Sequence, residues 1–181
     1  MSRATALALL WLLAGCDAVT LPEPLGGTPV DAAALQGAWL AETPEPQTLH
    51  VRQPEPGRLL LAWVDWRQER FVLDTGEALA RRDGEQHYFS MRDPDQPDSG
   101  FLFVRYRQPA ADRLELWPPQ VQAFRQAVEQ GQLAGRVLAD RYSTRVLLTG
   151  PAEDLARFLG DAGSGQVWQT EPVRLRRLSG P

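Results

Sequence analysis

Residues 77–92 read EALARRDGEQHYFSMR, two runs of strand-forming residues that meet at Asp83-Gly84. An Asp-Gly pair accepts the positive φ angles of a type I′ turn, whose twist suits an antiparallel hairpin. The flanking runs are bounded by turn residues and carry aromatic and β-compatible side chains, as strands do. The stretch therefore predicts a β-hairpin centred on 82–85, and the same pattern extends along the chain in both directions.

Short strands separated by turn residues are predicted from Trp39 to Trp117. Beyond the one at Trp39 they cover residues 47–53, 58–66, 69–74, 77–82, 85–92, 100–107 and 112–117. Segment 58–66 is apolar at both odd and even positions, which indicates a strand covered on both faces. Regular short strands of this kind indicate an antiparallel sandwich or barrel.

The hydrophobic period lengthens to that of a helix after Trp117. Between Pro119 and Gly131 one apolar stripe, formed by Val121, Phe124 and Val128, predicts an amphipathic helix. A second helix is predicted between Pro151 and Gly160, and further strands near 136–139, 144–149, 166–169 and 173–178. We therefore predict a mainly β fold, either an antiparallel β-barrel or a strongly curved sheet, with two short helices in the C-terminal third.

The first 15 residues have the layout of a secretory signal. Arg3 precedes an apolar run over residues 4–14, and small residues stand directly before Cys16. The run is shorter than the roughly 20 residues that a membrane-spanning helix needs, and no stop-transfer pattern follows it. We predict a signal peptide over residues 1–15 that is removed from the mature chain.

The tetrapeptide Leu13-Ala14-Gly15-Cys16 resembles the lipobox of bacterial lipoproteins. That resemblance implies diacylglyceryl transfer to the Cys16 sulfur, cleavage before Cys16 and acylation of the new amine. The alternative is an ordinary secretory signal with an incidental cysteine. In enteric lipoproteins an acidic residue at the position of Asp17 favours the periplasmic face of the inner membrane, with the outer membrane as the alternative location.

Residues 16–30 are predicted to be the lipidated cysteine and a flexible tether. They lack hydrophobic periodicity and contain Pro22, Pro24, Gly26, Gly27 and Pro29. Residues 31–181 are predicted to form a single antiparallel β domain.

Charge and motif spacing exclude several functions. The formal net charge of the chain is −4, and loss of Arg3 with the signal peptide makes it more acidic, which argues against a nucleic-acid partner. His50 and His87 lack the spacing of a zinc site, and the acidic loop at 93–100 lacks the EF-hand pattern. Gly163-Ser164-Gly165 lacks the flanks of a nucleophile elbow. We predict no catalytic residue, metal or cofactor.

The remaining feature is the number of tryptophans. The chain has six, and five of them remain after Trp11 is removed with the signal peptide. Each lies in or beside a predicted strand, where its ring either completes a core or lines a ligand cavity. The Gly37-x-Trp39 pair is similar to the opening motif of lipocalins, eight-stranded barrels that enclose an apolar ligand. In that family the tryptophan closes one end of the barrel and packs under an arginine of the last strand. In this chain Arg174, Arg176 or Arg177 could be that arginine. The resulting candidates for the ligand cavity or barrel end are Trp39, Trp63, Trp66, Trp117 and Arg176.

A broader resemblance covers most of the chain after the signal peptide. The strand at 100–107, Leu114-Glu115-Leu116-Trp117, the helix with Phe124 and Val146-Leu147-Leu148-Thr149 look like a class of bacterial envelope lipoproteins without an assigned activity. The leading hypothesis is a membrane-anchored, non-catalytic module that binds a lipid or small apolar molecule inside the barrel. The alternative is a filled barrel that binds an envelope protein through its surface, and a hydrolase is third.

Overall fold

A computed structural model of the chain describes residues 17–43, 47–67, 69–92, 98, 100–161 and 166–178. The signal peptide, the lipobox residues and Cys16 lie outside the described residues, as do most of the acidic loop and Gly163-Ser164-Gly165. The strands are β1 (Asp17–Thr20), β2 (Thr28–Pro29), β3 (Gly37–Ala41), β4 (Thr48–Glu55), β5 (Arg58–Arg67), β6 (Arg70–Asp83), β7 (Gln86–Arg92), β8 (Phe101–Ala110), β9 (Arg113–Trp117), β10 (Gly135–Ala139), β11 (Thr144–Leu148) and β12 (Val173–Arg177). The helices are a 3-10 turn (Ala33–Leu35), α1 (Val121–Glu129) and α2 (Ala152–Asp161).

Eight strands form a closed antiparallel barrel, which confirms the predicted fold class and selects the barrel over the open curved sheet. From β3 to β9 each strand pairs with the next one along the chain. The last strand, β12, pairs with β9 on one side and β3 on the other and so closes the ring. Closure pairs both long edges of the sheet, which removes the exposed edges that an open sheet would leave.

The hairpin predicted at 82–85 is present, with two local differences. Only Gly84 has a positive φ, of 54°, among the residues at this turn. The two turn residues are Gly84 and Glu85, one position later than the predicted Asp83-Gly84, and only the first of them has a positive φ, which is the pattern of type II′ and not of type I′. Strand β6 also continues through Gly76, where two strands were predicted, because Gly76 pairs with Leu61 of β5 in the same register as its neighbours.

Alternation along the strands divides the barrel into an apolar interior and an outer surface. On β12 the odd residues Val173 and Leu175 are buried, whereas Arg174 and Arg176 are exposed. The same period of two places Trp39 and Ala41 of β3 inside. One continuous cluster of buried apolar side chains therefore fills the barrel.

A second layer covers the outside of the barrel at β7 and β8. It consists of the sheet β1-β11-β10 and helices α1 and α2. Phe103 of β8 points away from the barrel interior and meets Phe124 of α1 edge to face, with ring centroids 5.8 Å apart. This second cluster of buried residues was not foreseen, because its strands and helices were assigned to one core. No helix among the described residues is long and apolar enough to cross a membrane.

Residues 17–21 differ most from their predicted state. They were assigned to the flexible tether, but β1 pairs in parallel with β11, and Ala18 and Val19 are buried. Leu21 continues the contact by bridging to Phe101 of the barrel. The prediction was wrong here because the partners of β1 lie more than a hundred residues away, at 144–147, where local composition gives no signal. The predicted strand at 166–169 is likewise reduced to one bridge between Trp168 and Pro119.

Candidate functional site

Within the described part of the chain, the barrel interior contains a small apolar cavity of about 70 Å³. Trp63, Phe89 and Met91 line it together with aliphatic side chains such as Leu59, Val104 and Leu114. Pockets for drug-sized ligands measure roughly 300–1,000 Å³, and an engineered cavity of about 150 Å³ binds benzene. The cavity therefore has room for no more than a small molecule, and the barrel is close to filled.

Trp63 is the one residue lining the cavity whose described side chain carries a nitrogen. It is a predicted cavity residue, it lies on β5, and it is 4% exposed. Its indole Nε1 has no hydrogen-bond partner in the described part of the chain. A buried donor without a partner costs about 1–3 kcal/mol, and the surface of the cavity itself is almost wholly apolar.

Trp39 is fully buried and lies two strands from Trp63, since Leu49 of β4 pairs with both residues. Its Nε1 donates a hydrogen bond to the carbonyl of Leu35, at 2.8 Å. The guanidinium of Arg177 lies over the indole, 4.4 Å from the ring centroid. The same guanidinium donates to the carbonyls of Ala34, Gln36 and Ala111. These contacts tie the first and last barrel strands and the 3-10 turn into one plug.

Gly37 makes this plug possible. Its φ is 127°, which favours glycine, and a Cβ at this position would lie 2.9 Å from Nη1 of Arg177. The spacing Gly-x-Trp therefore combines a strand start that needs a positive φ with space for the arginine.

The barrel-end arginine is Arg177, so the selection of Arg176 was wrong. Arg176 lies on the outer surface, with its Nε 3.9 Å from a carboxylate oxygen of Glu42. The signal that identifies Arg177 is its parity with Val173 and Leu175, since alternate residues of a strand share a face. Arg176 shares the outer face with Arg174 instead.

Trp117 also lies outside the barrel rather than in the cavity or at the barrel end. On β9 the inward residues are Leu114 and Leu116, so the next residue faces outward. Arg105 lies over the ring of Trp117, at 4.8 Å, and over that of Trp168, at 5.5 Å. Burial lowers the pKa of the Arg105 guanidinium, in keeping with its position between two rings. Trp117 therefore joins the second layer to the barrel.

The backbone of Trp66 pairs with Phe71 near the end of the β5–β6 hairpin. Its side chain lies outside what the structure describes, so its prediction as a cavity residue stays a prediction.

Tyr106 is a titratable residue whose side chain is buried inside the barrel. Its ring stacks on Phe89, with centroids 3.8 Å apart and planes 3° from parallel. Burial raises the pKa of the Tyr106 hydroxyl to about 12, so this group stays protonated at neutral pH. Among the described residues, no three His, Cys, Asp or Glu side chains come together as metal ligands.

The outer strip is an exposed apolar surface on β5 and β6, made by Leu60, Val64, Phe71 and Leu73. Val64 pairs directly with Leu73, and both side chains face away from the interior. Phe71 is 75% exposed and Leu73 is 64% exposed. Among the described residues, β6 pairs with β7 from Ala78 onward, so Phe71 and Leu73 lie beyond the end of β7.

Sequence patterns did not single out the outer strip. Segment 58–66 was interpreted as a strand covered on both faces because both sets of its side chains are apolar. The structure covers its inner face, with Leu59 and Trp63 buried, and exposes Leu60 and Val64. The available signal was the same run of apolar residues, which is also typical of a strand that presents a binding surface.

No known protein family, curated protein or solved structure matches this chain.

Proposed function

We propose that the chain is a lipid-anchored protein of the bacterial envelope that acts, without catalysis, as a binding module for another envelope protein. The anchor rests on Leu13-Ala14-Gly15-Cys16, which follows an apolar run of signal-peptide length. The carboxylate of Asp17, next to Cys16, accepts a hydrogen bond from the Thr144 N–H at 2.6 Å. The inner membrane remains the favoured location, through Asp17, and the outer membrane the alternative.

The outer strip is the observation that favours a protein partner. Exposed apolar residues scattered singly need no explanation, but paired strands that expose four large apolar side chains together form a patch. The nearly filled interior points the same way, because about 70 Å³ is too small for a lipid chain. The partner that suits this patch presents an apolar surface of its own, and burying the two against each other would stabilise the complex.

We expect Leu73→Glu to abolish partner binding while leaving the fold intact. Leu73 is largely exposed, so the change should alter the free energy of unfolding by less than about 0.5 kcal/mol. The measurement is photo-crosslinking in intact cells from a reactive side chain at Thr75, which is exposed on the same face of β6. A discrete adduct should form with the unmodified strip and disappear with Leu73→Glu.

The matched control is Ala156→Glu, which introduces the same charged side chain at an exposed position of α2, away from the outer strip. It should keep the adduct. Absence of any adduct from Thr75, or an adduct of equal yield with Leu73→Glu, would contradict the proposal.

A second candidate function is the binding of a small apolar molecule with one acceptor atom inside the barrel. The unpartnered Nε1 of Trp63 beside an otherwise apolar cavity favours it. In that case native mass spectrometry of residues 17–181 should show an extra mass that organic extraction removes. Ala78→Leu, which places bulk in the cavity wall, should lose that mass. A bare protein mass before and after extraction would exclude this candidate and leave the outer strip as the binding site.

A further inference from the structure

The described chain begins at the tip of the β10–β11 hairpin. Asp17 pairs with Thr144, and β1 runs parallel to β11, so the chain before Asp17 leaves the sheet beside the turn at 140–143. Asp17, the residue that directly follows Cys16 in the sequence, therefore lies beside this turn. An acyl anchor on the residue before Asp17 would therefore hold this turn close to the membrane surface.

The hairpin tip, residues 136–143, exposes the side chains that suit a membrane surface. Tyr142 is 76% exposed and Leu138 is 52% exposed. Arg136 and Arg141 are exposed beside them. Tyrosine is enriched where a polar headgroup region meets apolar chains, and arginine is attracted to anionic headgroups.

The two nearby carboxylates are held by hydrogen bonds from the hairpin. Asp140 accepts from the N–H groups of Tyr142 and Ser143, at 2.7 and 2.8 Å, and from the Ser143 hydroxyl. These bonds lower the pKa of Asp140, the bond from Tyr142 most of all. Asp17 accepts from Thr144. The acidic groups therefore fix the turn, while the arginines and Tyr142 face outward.

The tip is also rigidly attached to the body of the protein. Val146 of β11 is fully buried in the second core, and Val19 of β1 packs in the same cluster. Val146 pairs with Val137 of β10 on one side and with Val19 on the other. A membrane contact at the tip would consequently fix the orientation of the whole barrel.

We infer that the hairpin tip docks into the headgroup region of an anionic membrane beside the acylated Cys16. The inference rests on the proposed lipid anchor, and it adds a second contact that the anchor alone does not require. Leu138 and Tyr142 enter the interface, and Arg136 and Arg141 face the lipid phosphates. The protein then lies against the membrane in one orientation, with the tip toward the lipid, instead of tumbling on its acyl chains.

The test uses the acylated protein in vesicles of phosphatidylethanolamine and phosphatidylglycerol. Cys16 is the only cysteine of the chain, and its sulfur is blocked when it carries lipid, so an introduced cysteine takes a fluorophore alone. Ala139→Cys reports from the tip and leaves the four contact residues intact, and Thr75→Cys is the matched exposed control on β6. Bromine-labelled lipids should quench the fluorophore at 139 several-fold more strongly than the one at 75.

A further variant separates docking from proximity. Adding Leu138→Glu and Tyr142→Glu to Ala139→Cys should reduce the quenching to the level of Thr75→Cys, without changing the amount of protein on the vesicles. Equal quenching at 139 and 75 in the unaltered tip, or quenching that survives both glutamates, would overturn docking. Mass spectrometry of the N-terminal peptide is read in the same samples, and an unmodified Cys16 would instead mean that the proposed anchor itself fails.

Discussion

Replacing Trp39 with alanine is expected to lower the free energy of unfolding by about 3–5 kcal/mol, the usual cost of truncating a buried aromatic side chain. Trp39 is completely buried, bonds to Leu35 and carries the Arg177 guanidinium on its ring. Since domains are stable by only about 5–15 kcal/mol, this loss should be visible as a large shift in the urea midpoint. The measurement is urea denaturation followed by circular dichroism.

Trp117→Ala is the control, because that ring is half-buried on the outer face of the barrel and stacks with Arg105. Its loss should cost clearly less than that of Trp39. Arg177→Lys should fall between the two, since lysine keeps the charge but not the planar group that contacts the carbonyls of Ala34 and Gln36. A Trp39→Ala variant no less stable than Trp117→Ala would show that the plug does not hold the barrel together.

Replacing Cys16 with serine is expected to remove all acylation from the chain. The thioether forms on sulfur, and the chain contains no other cysteine to take its place. Two or three acyl chains hold a protein on a membrane, because each buried methylene contributes about 0.8 kcal/mol, and none would remain in the variant. Metabolic labelling with an alkyne fatty acid, followed by mass spectrometry of the N-terminal peptide, measures the loss directly.

Asp17→Asn provides the control for that substitution. It alters the neighbouring residue while keeping the Cys16 sulfur, so labelling should remain at the level of the wild-type chain. Labelling of the Cys16→Ser chain, or a lack of labelling in the wild-type chain, would refute the proposed lipid anchor on Cys16.

The barrel was predictable because its information is local. Strands with a period of two, joined by short turns such as Gly84-Glu85, specify neighbouring pairs one after another. The helices were predictable for the same reason, since the stripe that contains Phe124 needs only a few turns of sequence to be visible. The parallel pairing of β1 with β11 was not, because its two partners share no turn and each is only a few residues long.

The candidate site was predictable only where the type of a residue was considered together with the face of the strand on which its position lies. Trp39 and Trp63 lie inside as large apolar residues on alternating strands. Arg176 and Trp117 were assigned by type alone, and their parity places both outside. The outer strip was not predicted. When the residues on both faces of a strand are apolar, the sequence does not show which face is buried and which is exposed.

Closure of the barrel by its final strand has a consequence for the order of folding. Arg177 and its acceptor Ala34 are separated by 143 positions, and β12 is synthesised after the whole second layer. Until residues 173–177 are available, β3 and β9 present open edges that can pair with other chains. Long-range pairing of this kind also slows folding. The chain therefore keeps two open barrel edges until its last strand arrives, and closure by that strand removes both of them.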